Sequence, residues 1–177
     1  IQDTCATKDK SGSILEITKK NINEEKTLIT RFKKFTPTDQ QMFQKIYPNF
    51  FYSLIIPTYN RSKTLALTLA SAVNQSISQA SYEILIVDDG SIDNTKEVVS
   101  DFQKKHPNIK YLYQQNGGPA KARNFGIKES KGEIIFFTDD DCVVPQNWME
   151  TLLDGFKRYP EAVGVGGWYK PANEYIS

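Results

Sequence analysis

The stretch Glu83-Ile-Leu-Ile-Val-Asp-Asp-Gly-Ser-Ile-Asp-Asn-Thr95 decides the fold. Four apolar residues run straight into two aspartates, a glycine and a serine, and then into Asp93-Asn94-Thr95, which are good helix caps. A short uninterrupted apolar run fits a strand buried on both faces. Val98, Val99 and Phe102 then recur at helical spacing. The same unit appears on either side. Upstream, Tyr52 to Ile56 reads as a strand, and Leu65, Leu69, Ala72, Val73 and Ile77 as the apolar face of a helix. Downstream, Ile109 to Tyr113 is a third strand; Pro119 then takes a first helical position, followed by Ala120, Ala122 and Ile127. Glu133 to Thr138 is a fourth strand, and Pro145 to Tyr159 a helix with Trp148, Leu152, Leu153 and Phe156 on one face. Strand–helix alternation at about 25 to 30 residues per unit predicts βαβ crossovers. The class is α/β, a mainly parallel sheet with helices on both faces, as in Rossmann-like nucleotide-binding folds.

The pattern begins near residue 50. Residues 1–49 carry nine Lys/Arg against six Asp/Glu, whereas 50–177 carry thirteen against fifteen. In the first part Ile14, Ile17, Leu28, Ile29, Phe32 and Phe35 sit at roughly helical intervals. Thr36-Pro37-Thr38-Asp39 makes a break before Met42, Phe43 and Ile46. The expected organisation is a short helical arm over 1–49, with a partly ordered basic tail as the competing reading, followed by a domain over 50–177. The whole chain has 177 residues, 39% hydrophobic and 24% charged, with a net charge of +1. That balance argues against nucleic-acid binding driven by bulk charge. Two cysteines, Cys5 and Cys142, exclude a disulfide framework and a cysteine-based zinc cluster. The one histidine, His106, argues against a histidine-rich metal site and a Ser-His-Asp triad. No apolar run is long enough to span a bilayer, and the polar start carries no signal-peptide pattern. A chain opening on Ile1 rather than Met suggests a piece of something longer.

Ligands of open parallel sheets bind outside the carboxyl ends of the strands. Those ends read Pro57-Thr58-Tyr59-Asn60, Asp88-Asp89-Gly90-Ser91, Asn116-Gly117-Gly118-Pro119 and Asp139-Asp140-Asp141. Turn chemistry alone explains Asn, Gly and Pro; five aspartates at two adjacent strand ends ask for more. Two unit charges ~5 Å apart repel by ~3 kcal/mol at an effective dielectric of ~20. Three carboxylates at one strand lip therefore call for a cation. Oxygen ligands without Cys or His suit Mg²⁺ or Mn²⁺, completed by water and substrate phosphates. The competing reading is a solvated acidic turn capping the next helix. Asp88 and Asp89 either add to a metal site, accept a hydrogen bond from a ligand N–H such as a nucleobase imide, or merely make an Asx turn. Tyr59 is placed to stack on a base, whereas Tyr52 and Tyr113 read as core. Lys121 and Arg123 follow the Gly-Gly-Pro turn, where a helix N-terminus favours phosphate. His106 reads as a surface residue at a helix end, and Cys142 as a small buried filler.

Taken together, these blocks resemble a known family. Ser53-Leu-Ile-Ile-Pro-Thr-Tyr-Asn60, the Glu83–Thr95 stretch, Asn116-Gly-Gly-Pro-Ala-Lys-Ala-Arg-Asn-Phe-Gly-Ile127 and Lys131-Gly-Glu-Ile-Ile-Phe-Phe-Thr-Asp-Asp-Asp141 resemble, in order, the donor-binding half of family 2 glycosyltransferases, which have the GT-A fold. The resemblance runs from Phe51 to about Gly167. It implies transfer of a sugar from a nucleoside-diphosphate sugar to an acceptor hydroxyl, with inversion and a divalent cation, Mg²⁺ or Mn²⁺. It also implies a nucleotide site made by Pro57, Thr58, Tyr59, Asn60, Asp88, Asp89, Gly118, Arg123, Asp139 and Asp140. Within it Pro57 and Tyr59 line the base pocket and Asp89 accepts from the base. Arg123 lies near ribose or phosphates, Asp139 faces the ribose and metal-bound water, and Asp141 ligates the ion; Asp139 and Asp141 form the DxD metal pair. The acceptor, whether sugar, polysaccharide, lipid or protein, stays open. The expected location is cytoplasmic, with attachment at the inner membrane face left to segments outside this sequence.

The family's catalytic base comes from an acceptor-binding half beyond the acidic motif. Only 36 residues follow Asp141, and Asp154, Glu161 and Glu174 among them do not form such a motif. The expectation is therefore a domain without its acceptor half, the catalytic base lying elsewhere. Two other readings are kept. Ile84 to Asp89 resembles the first strand and acidic pair of a response-regulator receiver domain, with Asp139 or Asp141 as the phosphorylated residue. A receiver, however, has no use for the preceding Pro57–Asn60 unit, and Lys170 is poorly placed for its late lysine. The third reading is a non-catalytic nucleotide- or sugar-binding module.

Overall fold

The computed structural model describes residues 50–159 and 161–167. The expected arm over 1–49, with Cys5, and the late residues Lys170 and Glu174 lie outside them. Four strands and four helices alternate: β1 (Tyr52–Thr58), α1 (Ser62–Ala72), β2 (Tyr82–Asp88), α2 (Thr95–Gln103), β3 (Ile109–Tyr113), α3 (Pro119–Glu129), β4 (Ile134–Phe137) and α4 (Trp148–Arg158). The strands form one parallel sheet in the order β3-β2-β1-β4. This is the α/β architecture that the alternation predicts.

Every residue of β1 and β2 is buried, which accounts for their unbroken apolar runs. Strand alternation divides them between two cores. Leu54, Ile56, Ile84 and Ile86 face α1, α2 and α4 through Leu65, Leu69, Val99, Met149 and Leu153. Ile55, Leu85 and Val87 face α3 through Ala122. Gly126 lets α3 approach closely, since a Cβ there would stand 2.6 Å from Ile55 Cγ2 and 3.1 Å from Val87 Cγ2.

The structure corrects several sequence expectations. The two acidic strand ends are not neighbours, because β1 lies between β2 and β4. The last helix starts at Trp148 rather than Pro145. The segment before it is held on the end of α1: Gln75 Nε2 donates to Pro145 O, Ser76 N to Gln146 O, and Val144 N to Ser71 Oγ. Val73 and Ile77 lie past the end of α1 yet still pack on the core. There the terminal carbonyls are satisfied by side chains, Tyr82 Oη donating to Ala72 O and Gln79 Nε2 to Val73 O. Tyr113 is 59% exposed at the end of β3, which among the described residues pairs with β2 alone, whereas Tyr52 is core as expected.

At the opposite end of the sheet from the acidic turn, Glu83 is 2% exposed and accepts hydrogen bonds from Lys110 Nζ (2.5 Å), Ser53 Oγ (2.8 Å) and Lys131 N (2.6 Å). Burial raises its pKa, but Lys110, Lys131 and Ser53 together outweigh burial and hold the carboxyl below its usual value of 4.5. Glu83→Ala leaves the Ser53 hydroxyl and the Lys131 N–H without their acceptor, so urea unfolding at pH 7 is expected to show a loss of about 3 kcal/mol. Because the folded value is depressed, this stabilisation is full above the usual value and disappears as pH falls through the folded one. The gap between wild type and Glu83→Ala should therefore narrow at pH 3.

Candidate functional site

The loops after β1, β2 and β4 and the start of α3 meet at the carboxyl end of the sheet, and side-chain-to-backbone bonds lock them together. Asn60, with φ 52°, accepts from Ile92 N through Oδ1, while its own N donates to Ser91 Oγ. Asparagine tolerates this left-handed conformation better than most residues. Asp93 Oδ2 accepts from Ser62 N, and its Oδ1 accepts from Thr95 N and Oγ1, so one carboxylate caps both α1 and α2. The expected cap at Asp93-Asn94-Thr95 is thus realised by Asp93, while Asn94, which occupies the cap position, makes no side-chain capping bond. Burial opposes ionisation of Asp93, but the bonds from Thr95 and Ser62 hold its carboxyl below the usual range.

The two aspartates ending β2 act differently. Asp88 is 1% exposed, with Oδ2 accepting from Tyr111 Oη at 2.6 Å and Oδ1 from Ser91 N at 2.7 Å. Both its oxygens serve the protein itself. Burial, together with the bond to Asp88, pushes the Tyr111 phenol well above its ordinary pKa. Asp89 ties the β2 loop to the turn before α3. Its Oδ1 accepts from Gln114 Nε2 (2.6 Å) and Gly117 N (2.8 Å), and its Oδ2 from Gly118 N (2.7 Å). A carboxylate has about four acceptor positions, so one remains on Oδ2. Gly90 permits the approach, since its φ is +88° and a Cβ would stand 2.9 Å from Asn116 N. Lys121 methylenes lie over Gly117, where a side chain at 117 would collide with them.

At the end of β4 the three consecutive aspartates divide their work. Asp140 is 6% exposed and turned inward, accepting from Thr58 Oγ1 at 2.7 Å. Burial pushes its pKa up, with Thr58 and Arg61 pulling the other way. Asp139 and Asp141 face solvent, their side chains 57% and 47% exposed. Arg123 Nη2 lies 2.6 Å from Asp139 Oδ1, and Arg61 Nη1 lies 2.5 Å from Asp141 Oδ2 and 3.4 Å from Asp140 Oδ1. The carboxylates beside it, Asp140 foremost, raise the Arg61 pKa further. One oxygen of Asp139, one of Asp141 and the Cys142 thiol lie within 4.8 Å of one another. Two exposed carboxylates at this spacing fit a hard divalent cation. The thiol does not, because its pKa is raised by burial and sulfur suits softer metals. Cys142 is half-buried rather than the buried filler expected.

Pro57, Thr58, Tyr59 and Gly118 lie at this same carboxyl end of the sheet. Pro57 and Thr58 are buried at the end of β1, and Tyr59 is 47% exposed just beyond it. Gly118 caps α3. His106 stacks on Phe102 near the end of α2. Asp154 is paired with Lys157, and Glu161 is exposed. The stretch after Asp141 also holds Glu150, which accepts from Ser76 Oγ. The structure adds Arg61 and Gln114 to the site. Arg61 follows Asn60 directly, so a basic residue at a strand end was the available signal, while the pairing of β1 with β4 that sets it opposite the aspartates was not. Gln114 carried none. A groove of about 450 Å³, apart from the acidic turn, is lined by Ser91, Ile92, Asp93, Lys96, Glu97, Tyr111 and Tyr113. Among the described residues no helix is long and apolar enough to cross a membrane.

Residues 53–175 match the family model described as glycosyl transferase family 2. Among curated proteins, the glycosyltransferase AglE of Haloferax volcanii is 39% identical over 101 residues, covering 56% of this chain and 33% of that protein. Glycosyltransferase GlyG of Streptococcus pneumoniae is 36% identical over 118 residues, covering 66% and 38%. Among solved structures, S. aureus TarS 1-349 in complex with UDP-GlcNAc superposes with a TM-score of 0.57 at 31% identity, covering 62% of this chain and 32% of that one. The chain spans about a third of the length of each of these.

Proposed function

The chain belongs to glycosyl transferase family 2, and from that premise we propose that it carries the donor-binding part of an enzyme moving a sugar from a nucleoside-diphosphate sugar to an acceptor hydroxyl, with inversion. The match includes β1, which a receiver domain starting at β2 does not need. A similar solved chain, TarS, is described in complex with UDP-GlcNAc, which supports a sugar nucleotide as the ligand class.

The observation that carries the proposal is the division of labour among the three aspartates. Asp140 points inward onto Thr58, while Asp139 and Asp141 present oxygens outward within ion-binding reach of one another. Asp139 and Asp141 are the residues to hold Mg²⁺ or Mn²⁺, whose charge, when bound, neutralises the diphosphate as it departs. Tyr59 offers a ring face for the base, and the open acceptor position of Asp89 Oδ2 receives an imide N–H. Arg123, with its side chain 18% exposed, supplies a fixed positive charge near Asp139 toward ribose or phosphate. Thr58, Asn60 and Asp88 position these groups through the bonds described above. The catalytic base, expected from the acceptor-binding half, is not assigned among these residues.

Calorimetric titration with UDP, GDP and dTDP, in Mn²⁺ and in EDTA, tests the assignment. One of the three is expected to bind, and more tightly in Mn²⁺. A folded sample that binds none of them under either condition overturns the donor-site assignment.

A further inference from the structure

We infer that Arg61 is a resident counter-ion of the acidic turn, one that a divalent cation must displace from Asp141. This rests on the metal reading above and adds to it a residue that competes with the ion.

The two guanidiniums at the turn are not equivalent. Among the described residues Arg123 makes one ion pair, with Asp139, and its side chain is 18% exposed. Arg61 is 53% exposed and has two partners on one nitrogen, Asp141 at 2.5 Å and Asp140 at 3.4 Å. Its backbone is well fixed, standing between Asn60, bonded to Ser91 and Ile92, and Ser62, capped by Asp93. Only the side chain is free to move. Three carboxylates against two guanidiniums leave the turn with one net negative charge, and a divalent cation turns that into one net positive charge. Like charges repel, so the more mobile guanidinium yields. Arg61 then still has Asp140, which is buried, accepts from Thr58 and stays in place. The second partner is what makes a hand-over possible without stranding a charge.

Competition has a definite sign. Removing Arg61 should tighten cation binding in the absence of nucleotide, whereas a residue that supports the site should weaken it when removed. The experiment is titration of Mn²⁺ alone, followed by electron paramagnetic resonance of the free ion, on wild type, Arg61→Ala, Arg61→Lys, Lys63→Ala and Asp141→Ala. Lys63 is exposed on the first turn of α1 and removes the same charge two residues away. Arg61→Ala is expected to bind Mn²⁺ about fivefold more tightly, the size of an exposed ion pair. Lys63→Ala should change affinity less than twofold, and Arg61→Lys should fall between wild type and Arg61→Ala. Equal affinity for wild type and both Arg61 variants overturns the inference while leaving the metal site standing, provided Asp141→Ala loses binding. So does a shift no larger than that of Lys63→Ala. Weaker binding by the Arg61 variants overturns it too and makes Arg61 a support of the site. Absence of Mn²⁺ binding in every protein, wild type included, removes the metal reading and this inference together. Arg61→Lys keeps the test decisive should Arg61→Ala fail to fold.

Discussion

Asp141→Ala is expected to remove the effect of Mn²⁺ on nucleoside diphosphate binding, leaving affinity at its value in EDTA. In a catalytically complete form of the enzyme it should cost about 100-fold or more in turnover, because an ion at a departing diphosphate contributes several kcal/mol of charge stabilisation. The fold should survive. Asp141 is half exposed; of its partners, the Cys142 thiol donates at 3.8 Å, and Arg61 keeps Asp140 within 3.4 Å. An unchanged melting temperature with an abolished metal response is the expected pair of results. Calorimetry in Mn²⁺ and in EDTA, beside a thermal melt, checks both. A metal response equal to that of wild type takes Asp141 out of the site.

Asp89→Ala should act on structure and on binding at once. Its carboxylate is 4% exposed and receives two backbone N–H groups and the Gln114 amide, so truncation leaves three donors without their acceptor. The loss is expected to be about 2 kcal/mol rather than more, because Gly117 is exposed and water can reach that turn. Donor affinity should fall more than tenfold, since the base loses its acceptor and the turn before α3 loses its tie to β2. Asp89→Asn separates the two effects. The amide keeps one acceptor oxygen for the turn but presents N–H where N–H groups already point. Urea unfolding and nucleotide titration of both variants measure the two losses. A fully stable Asp89→Ala protein with wild-type nucleotide affinity contradicts both roles.

Much of this was legible in the chain. Tyr52–Thr58 and Tyr82–Asp88 are buried on both faces, and the continuous apolar runs at their centres, residues 54–57 and 84–87, made both strands visible. Pro119 announced α3 because a first helical position needs no N–H. The strand order was not visible, since βαβ units fix handedness and not which strand each crossover passes. This is how the acidic ends of β2 and β4, the second and fourth strands in sequence, came to flank β1. Within the site, Asp139, Asp140 and Asp141 are chemically identical, so only the structure separates the inward Asp140 from its outward neighbours. Asp88 and Asp89 divide similarly: Tyr111 and Ser91 engage one, the Gly117–Gly118 turn the other. Ser91 lies 3 residues from Asp88, within the local turn the sequence offers, but Tyr111, Gly117 and Gly118 lie 23 to 29 residues from their aspartates, where no local pattern reports them.

The proposed seat of the donor diphosphate and its cation is the turn after β4. Paramagnetic broadening of amide resonances by Mn²⁺ in the presence of the nucleoside diphosphate that binds tests this most directly. Broadening is expected to centre on residues 139–141, extend to Arg61, Gly118 and Arg123, and spare Glu83, Lys110 and Lys131 at the far end of the sheet. Asp141→Ala should abolish it. Broadening centred anywhere else, or a pattern that survives Asp141→Ala, contradicts the account.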